Sequence, residues 1–130
     1  MERHTAIDLR LEAVVDAPGR ARQRLRELDG ELSRARADEV RLLVSELVTN
    51  AVMHAGPGGE IRLRVELAPD RVRVEVRDRG RGFRSARPPP PPPPGQPHGR
   101  GLHMVDQVAE RWGNARTDEG HCVWFELGRR

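Results

Sequence analysis

Apolar positions along this chain change period several times, and each change marks an element. Over residues 5–15, Ile7, Leu9, Leu11, Ala13 and Val15 alternate with Asp8, Arg10 and Glu12, a period of two that predicts a half-buried strand near a sheet edge. Asp16-Ala17-Pro18 offers a helix start, with Asp16 as cap and Pro18 tolerated in the first turn. Residues 21–32 carry Leu25, Leu28 and Leu32 at helical spacing, and Gly30 ends or breaks that segment. A second helix, capped by Asp38, runs to about Ala55 and stops at Gly56-Pro57-Gly58-Gly59. Its stripe is Leu43, Val44, Leu47, Val48, Ala51 and Ala55. Period two returns in Ile61, Leu63, Val65, Leu67 and, after Ala68-Pro69-Asp70-Arg71, in Val72, Val74, Val76. That is a hairpin with one face in a core and an Arg/Glu ladder on the other, whose charges cross-strand pairing on a wet face explains.

Periodicity lapses over residues 84–98, which contain seven consecutive prolines, Pro88 to Pro94. Proline has a fixed φ and no amide donor, so the run forms neither helix nor sheet but a polyproline II rod about 20 Å long at ~3.1 Å per residue. It reads as a stiff insertion in a loop, or as a docking peptide for an aromatic groove. A third helix begins on Leu102, Val105 and Val108/Ala109 and ends near Trp112-Gly113. Closing strands at residues 115–117 and 121–127 flank Asp118-Glu119-Gly120.

Composition narrows the chemistry. At 130 residues the chain fits one domain, residues 1–130, with a single core. The formal charge is +3, yet every basic residue is Arg; without Lys there is no Walker-type P-loop, so a nucleotide site must use another design. Arg alternates with Asp and Glu along the elements, and only two Phe and two Trp are available to stack on bases, so direct nucleic-acid binding is not expected. The lone Cys122 excludes an internal disulfide and a Cys-based zinc cluster. No stretch has the ~20 apolar residues of a membrane span, and the charged N-terminus lacks a signal peptide's apolar core, so a cytoplasmic location with no membrane partner is expected.

Three segments carry candidate chemistry. Glu46, Asn50 and His54 fall four apart and stack along one edge of the second helix's apolar face, aimed at a shared object. Taken alone, Glu-x-x-x-Asn is equally an ordinary polar helix edge. Asp78 ends a strand and is followed by Gly80 and Gly82, which let backbone approach a flat ligand, although Asp-x-Gly also describes many surface turns. Gly99, Arg100, Gly101 and Leu102 open the third helix, where free amides, a helix dipole and a guanidinium suit a phosphate.

In this order the pieces resemble the GHKL ATPases (gyrase, heat-shock chaperone, histidine kinase and MutL type), and most closely the small stand-alone branch of anti-sigma-factor serine/threonine kinases. The resemblance covers essentially the whole chain. Glu46-Leu47-Val48-Thr49-Asn50-Ala51-Val52-Met53-His54-Ala55 looks like the N box, Asp78-Arg79-Gly80-Arg81-Gly82-Phe83 like the first glycine box and Gly99-Arg100-Gly101-Leu102 like the second. The implied fold is α+β: a two-layer α/β sandwich whose mixed, mostly antiparallel sheet is covered by helices on one face, with the prolines inside an ATP lid at about residues 84–98. The implied cofactors are ATP and Mg2+. By the same resemblance Asn50 is the metal ligand and Glu46 the catalytic base. Asp78 would bind the adenine amino group, Gly80 and Gly82 allow its approach, and Gly99, Arg100, Gly101 and Leu102 cover the phosphates. His54 is taken as structural or supporting rather than a base.

Two departures stand out. Many relatives carry a supporting Thr on the last strand; aligning Gly120-His121-Cys122-Val123-Trp124 puts Cys122 there, and a thiol is a weak donor. The proline-filled lid is also unusual. The resemblance implies a kinase that phosphorylates an anti-anti-sigma (STAS-type) antagonist and sequesters a sigma factor, in a branch that commonly forms homodimers. The alternative is a non-catalytic ATP-binding partner switch: Glu46 favours the kinase, and Cys122 and the lid favour the binder. A detached histidine-kinase domain is disfavoured because no upstream helical hairpin bears a phospho-accepting His. A proline-rich adaptor would rest on the proline run alone.

Overall fold

A computed structural model describes residues 3–79, 100–117 and 120–130. The proline run, Gly80, Gly82, Gly99 and the Asp118-Glu119 turn lie outside the described residues. The chain order is β1 (His4–Glu12), α1 (Ala17–Leu25), a 3-10 turn (Arg26–Leu28), α2 (Arg34–Ala55), β2 (Glu60–Leu67), β3 (Arg71–Arg79), α3 (Arg100–Val108), β4 (Arg111–Thr117) and β5 (Gly120–Gly128). Among the described residues the strands form one five-stranded sheet in the order β1-β2-β3-β5-β4, antiparallel at every pairing, with no parallel neighbour of the kind a mixed sheet would contain. The α+β sandwich is as expected, and β1 is an edge strand, as its charged alternation predicts.

Alternation assigns each strand its two faces. Ile7 and Leu11, Ile61 to Leu67, Val72 to Val76, and Val123, Phe125 and Leu127 supply the inner face at every second residue, and all are buried. Each fully buried Val or Leu is worth roughly 1.5–3 kcal/mol relative to exposure. The stripe of α2 (Val40, Leu43, Val44, Leu47, Val48 and Ala51) packs onto this face over β2 and β3, with α1 and α3 alongside. The outer face holds the charged ladder. Arg62 grips Asp8 with two bonds of 2.8 and 2.7 Å, Glu126 is ringed by Arg3, Arg73 and Arg111, and the Arg73 guanidinium stacks 4.3 Å from the Trp124 ring centroid.

Four boundaries differ from the sequence reading, each for a local reason. Helix α2 starts a turn earlier, because Ser33 accepts the Arg36 amide at 3.2 Å and caps it; Asp38 lies inside the helix and takes a bond from Arg41 instead. Asp16 makes no capping bond from its side chain. Strand β1 ends at Glu12, after which Ala13 donates to the Gly59 carbonyl and Val14 and Val15 are exposed. Trp112-Gly113 ends no helix: α3 stops at Val108, and both residues belong to β4, opposite Phe125 and Trp124. A side chain at Gly113 would meet the Trp124 indole, its Cβ lying 2.7 Å from Nε1, so glycine serves tight cross-strand packing there.

The C-terminal end of α2 positions the site. Gly56 caps it at φ 68°, donating to the Val52 carbonyl at 3.1 Å, a left-handed conformation that costs glycine little. Gly59 then passes so close that a Cβ would fall 2.5 Å from Ala55 Cβ and 3.0 Å from the Arg79 carbonyl. The turn therefore pins the end of α2 against the end of β3.

Candidate functional site

Side chains from α2, β3 and β5 meet at this end of the sandwich. The Glu46-Asn50-His54 column runs from half-buried through buried to exposed. Asn50 is only 8% exposed, and among the described residues nothing hydrogen-bonds its carboxamide. Glu46 makes no ion pair with any described cation. Both are hard oxygen donors, the kind of ligand that magnesium takes sparingly beside phosphate and water.

Asp78 is the last inward-facing residue of β3 and is also 8% exposed. Its inner-face neighbours across the ladders are Ile61 on β2 and His121 on β5. The His121 Nδ1 lies 3.7 Å from Asp78 Oδ2, beyond hydrogen-bond length but close enough to orient both groups. The His54 ring stands edge-on to that of His121, centroids 5.9 Å apart at 86°. One donor atom from each of His54, Asp78 and His121 lies within 4.8 Å of the other two. The His54 end of the α2 column therefore reaches the end of β3. Behind Asp78, Gly120 adopts φ 126° and leaves no room for a side chain, since a Cβ would sit 2.0 Å from the Asp78 carbonyl oxygen.

Cys122 does not stand where the sequence alignment put it. It pairs with Arg77 across the β3–β5 ladder and therefore faces outward, where its Sγ lies 3.7 Å from Glu75 Oε1. Burial is the main reason its thiol pKa is raised. The residue beside Asp78 is His121, which the sequence reading left without a role. Parity held the signal: Val123, Phe125 and Leu127 face the core, so His121 shares their face and Cys122 does not.

Arg100 and Gly101 are the first residues of α3, and Leu102 packs half-buried against the core. Gly80, Gly82 and Gly99 fall outside the described residues. A cleft of about 250 Å3 opens at the end of the sheet next to Ile61 and Asp78, but Glu60 and its four arginines (Arg10, Arg62, Arg77 and Arg79) belong to the outer face, away from α2. Its lining favours anions. No described helix is long and apolar enough to cross a membrane.

Residues 11–127 match the family model for the histidine kinase-like ATPase domain. Among solved structures, the catalytic domain of the histidine kinase ThkA, in a nucleotide-free form, superposes with a TM-score of 0.57 at 18% identity, covering 95% of this chain and 97% of that one. At that identity the likeness speaks to the fold. No curated protein matches the sequence.

Proposed function

The chain belongs to the histidine kinase-like ATPase domain family, and from that premise we propose an ATP- and magnesium-binding regulator of the anti-sigma-factor serine/threonine kinase type. The observation that carries the reading is the meeting of His54, the last residue of the α2 column, with Asp78 at one end of the sandwich. Asn50 and Glu46 precede His54 by one and two turns on the same helix edge, and a site built from them and Asp78 needs no P-loop lysine.

The roles follow from chemistry. The Asp78 carboxylate accepts a hydrogen bond from the adenine amino group and rejects guanine, whose carbonyl oxygen offers no donor there. The Asn50 carboxamide oxygen would hold Mg2+, which when bound neutralises charge on the phosphate oxygens. Glu46 accepts the proton of an attacking serine or threonine hydroxyl. By the resemblance, Gly80, Gly82, Gly99 and Gly101 are assigned to close approach of the nucleotide and Arg100 to the charge of the phosphates. The acceptor is proposed to be a STAS-type anti-anti-sigma protein and the sequestered target a sigma factor, with the working form a homodimer.

His121 against Asp78 favours a second reading. An imidazole stands 3.7 Å from the carboxylate proposed to bind adenine, and a base contact crowded by that neighbour befits a module that exchanges nucleotide and switches partners without transferring phosphate.

Calorimetry with ATP, with and without Mg2+, followed by incubation of labelled ATP with STAS-domain proteins of the source genome, tests both. Magnesium-dependent ATP binding that Asn50→Ala abolishes, with label appearing on a STAS serine or threonine, supports the kinase. Binding without transfer selects the switch, and absence of ATP binding removes both.

A further inference from the structure

We propose that His54, Asp78 and His121 form a binding site for a borderline divalent transition metal of the zinc class, distinct from the magnesium position at Asn50. Two imidazoles and a carboxylate suit Zn2+, Co2+ and Ni2+, whereas Mg2+ prefers oxygen alone. Two of the three ligands are fixed by the sheet, because Asp78 and His121 are direct cross-strand partners on the inner face of β3 and β5. The third comes from the last turn of α2, held by the glycine turn that presses Ala55 against the end of β3.

Distances fit a site that closes by small rotations. With bonds of about 2.0–2.1 Å, a tetrahedral metal sets its ligand atoms about 3.3 Å apart. The Asp78 to His121 separation is 3.7 Å, and the three ligand atoms all lie within 4.8 Å of one another. His54 is exposed and stands edge-on to His121, while Asp78 stays nine-tenths buried. Three protein ligands leave at least one position for water or an incoming group.

One consequence rests on the adenine role proposed for Asp78. A metal on that carboxylate occupies the lone pairs the adenine amino group would use, so metal and nucleotide exclude each other. Zinc-class ions then act as inhibitors of nucleotide binding at the base end of the site rather than as partners of the phosphates.

Cobalt(II), whose visible spectrum reports low-coordinate nitrogen and oxygen ligation, is titrated into the full chain without nucleotide. The expected result is one equivalent bound, weakened at least about tenfold in both His54→Ala and His121→Ala, and unchanged in Cys122→Ser. Thermal melts of each variant establish that it is folded. No binding by the wild-type chain, or binding that survives both histidine substitutions, overturns the site. Competition is read with adenosine, which carries no phosphate to chelate metal: zinc is expected to displace it from the wild-type chain and not from His121→Ala. Simultaneous binding overturns the exclusion. Failure of the metal-free chain to bind any adenine nucleotide removes the proposed function and leaves the metal measurement standing.

Discussion

Asp78 and His121 face one another across the β3–β5 ladder, with Nδ1 of the imidazole 3.7 Å from a carboxylate oxygen. The group assigned to adenine is therefore not a solitary carboxylate at a strand end. Its neighbour is a base, and Cys122 points through the sheet to the other face. Cys122→Thr should accordingly leave ATP affinity within about twofold, as for a surface change away from the site. His121→Leu should alter it more. Calorimetry on the two variants checks this, and a large gain from Cys122→Thr would put the thiol back beside the base.

Asp78→Asn exchanges an acceptor-only carboxylate for a carboxamide. Loss of a charge-assisted hydrogen bond is worth about 1.5–3 kcal/mol, so ATP affinity should fall roughly tenfold to a hundredfold. GTP affinity should change little. Parallel titrations decide it, and equal losses for the two nucleotides would exclude an adenine contact.

Glu46→Ala should retain ATP, since the carboxylate is assigned to the acceptor hydroxyl and not to the nucleotide. Phosphoryl transfer should drop by about 10²–10⁴, the usual contribution of a positioned base. Single-turnover transfer to the acceptor measures it; a variant as fast as wild type would leave Glu46 without that role.

Ser33→Ala removes the bond that starts α2 and should cost about 1 kcal/mol. Asp38→Ala, within the helix, loses only a partly exposed pair with Arg41 and should cost less than that. Urea unfolding of the two variants ranks them, and the reverse order would move the cap back to Asp38.

Asp8 is held below the usual carboxylate range, chiefly by its bonds from Arg62. A depressed folded-state pKa contributes stability above the unfolded value and loses it as pH falls through the folded one. The gap between wild type and Asp8→Asn should thus be small and steady at neutral pH, the pair being exposed, and should close under acid. Denaturation midpoints across that range report it; a gap that widened on acidification would contradict the assignment.

Much of this was legible in the sequence because period-two and period-3.6 patterns translate directly into faces. The β2–β3 hairpin, the α2 stripe and the edge position of β1 follow from spacing alone. Ser33 was passed over because both Ser33 and Asp38 precede helical residues, and only the backbone shows whose oxygen meets an amide. Trp112-Gly113 read as a helix end because glycine after an apolar run is the usual stop; here the missing side chain makes way for Trp124 across the ladder. A motif alignment of the last strand picks out Cys122, whereas counting by twos from the core residue Val123 picks out His121.

The strand order has a consequence for biosynthesis. β5 follows β4 in the chain and yet lies between β3 and β4, so on the ribosome β4 lacks this sheet neighbour and one edge of β3 stays bare until residues 120–128 have left the exit tunnel. A stop codon before residue 120 would delete His121, unseat β4 and strip Asp78 of one flank in a single event. Nascent chains of that length are expected to bind chaperones rather than nucleotide.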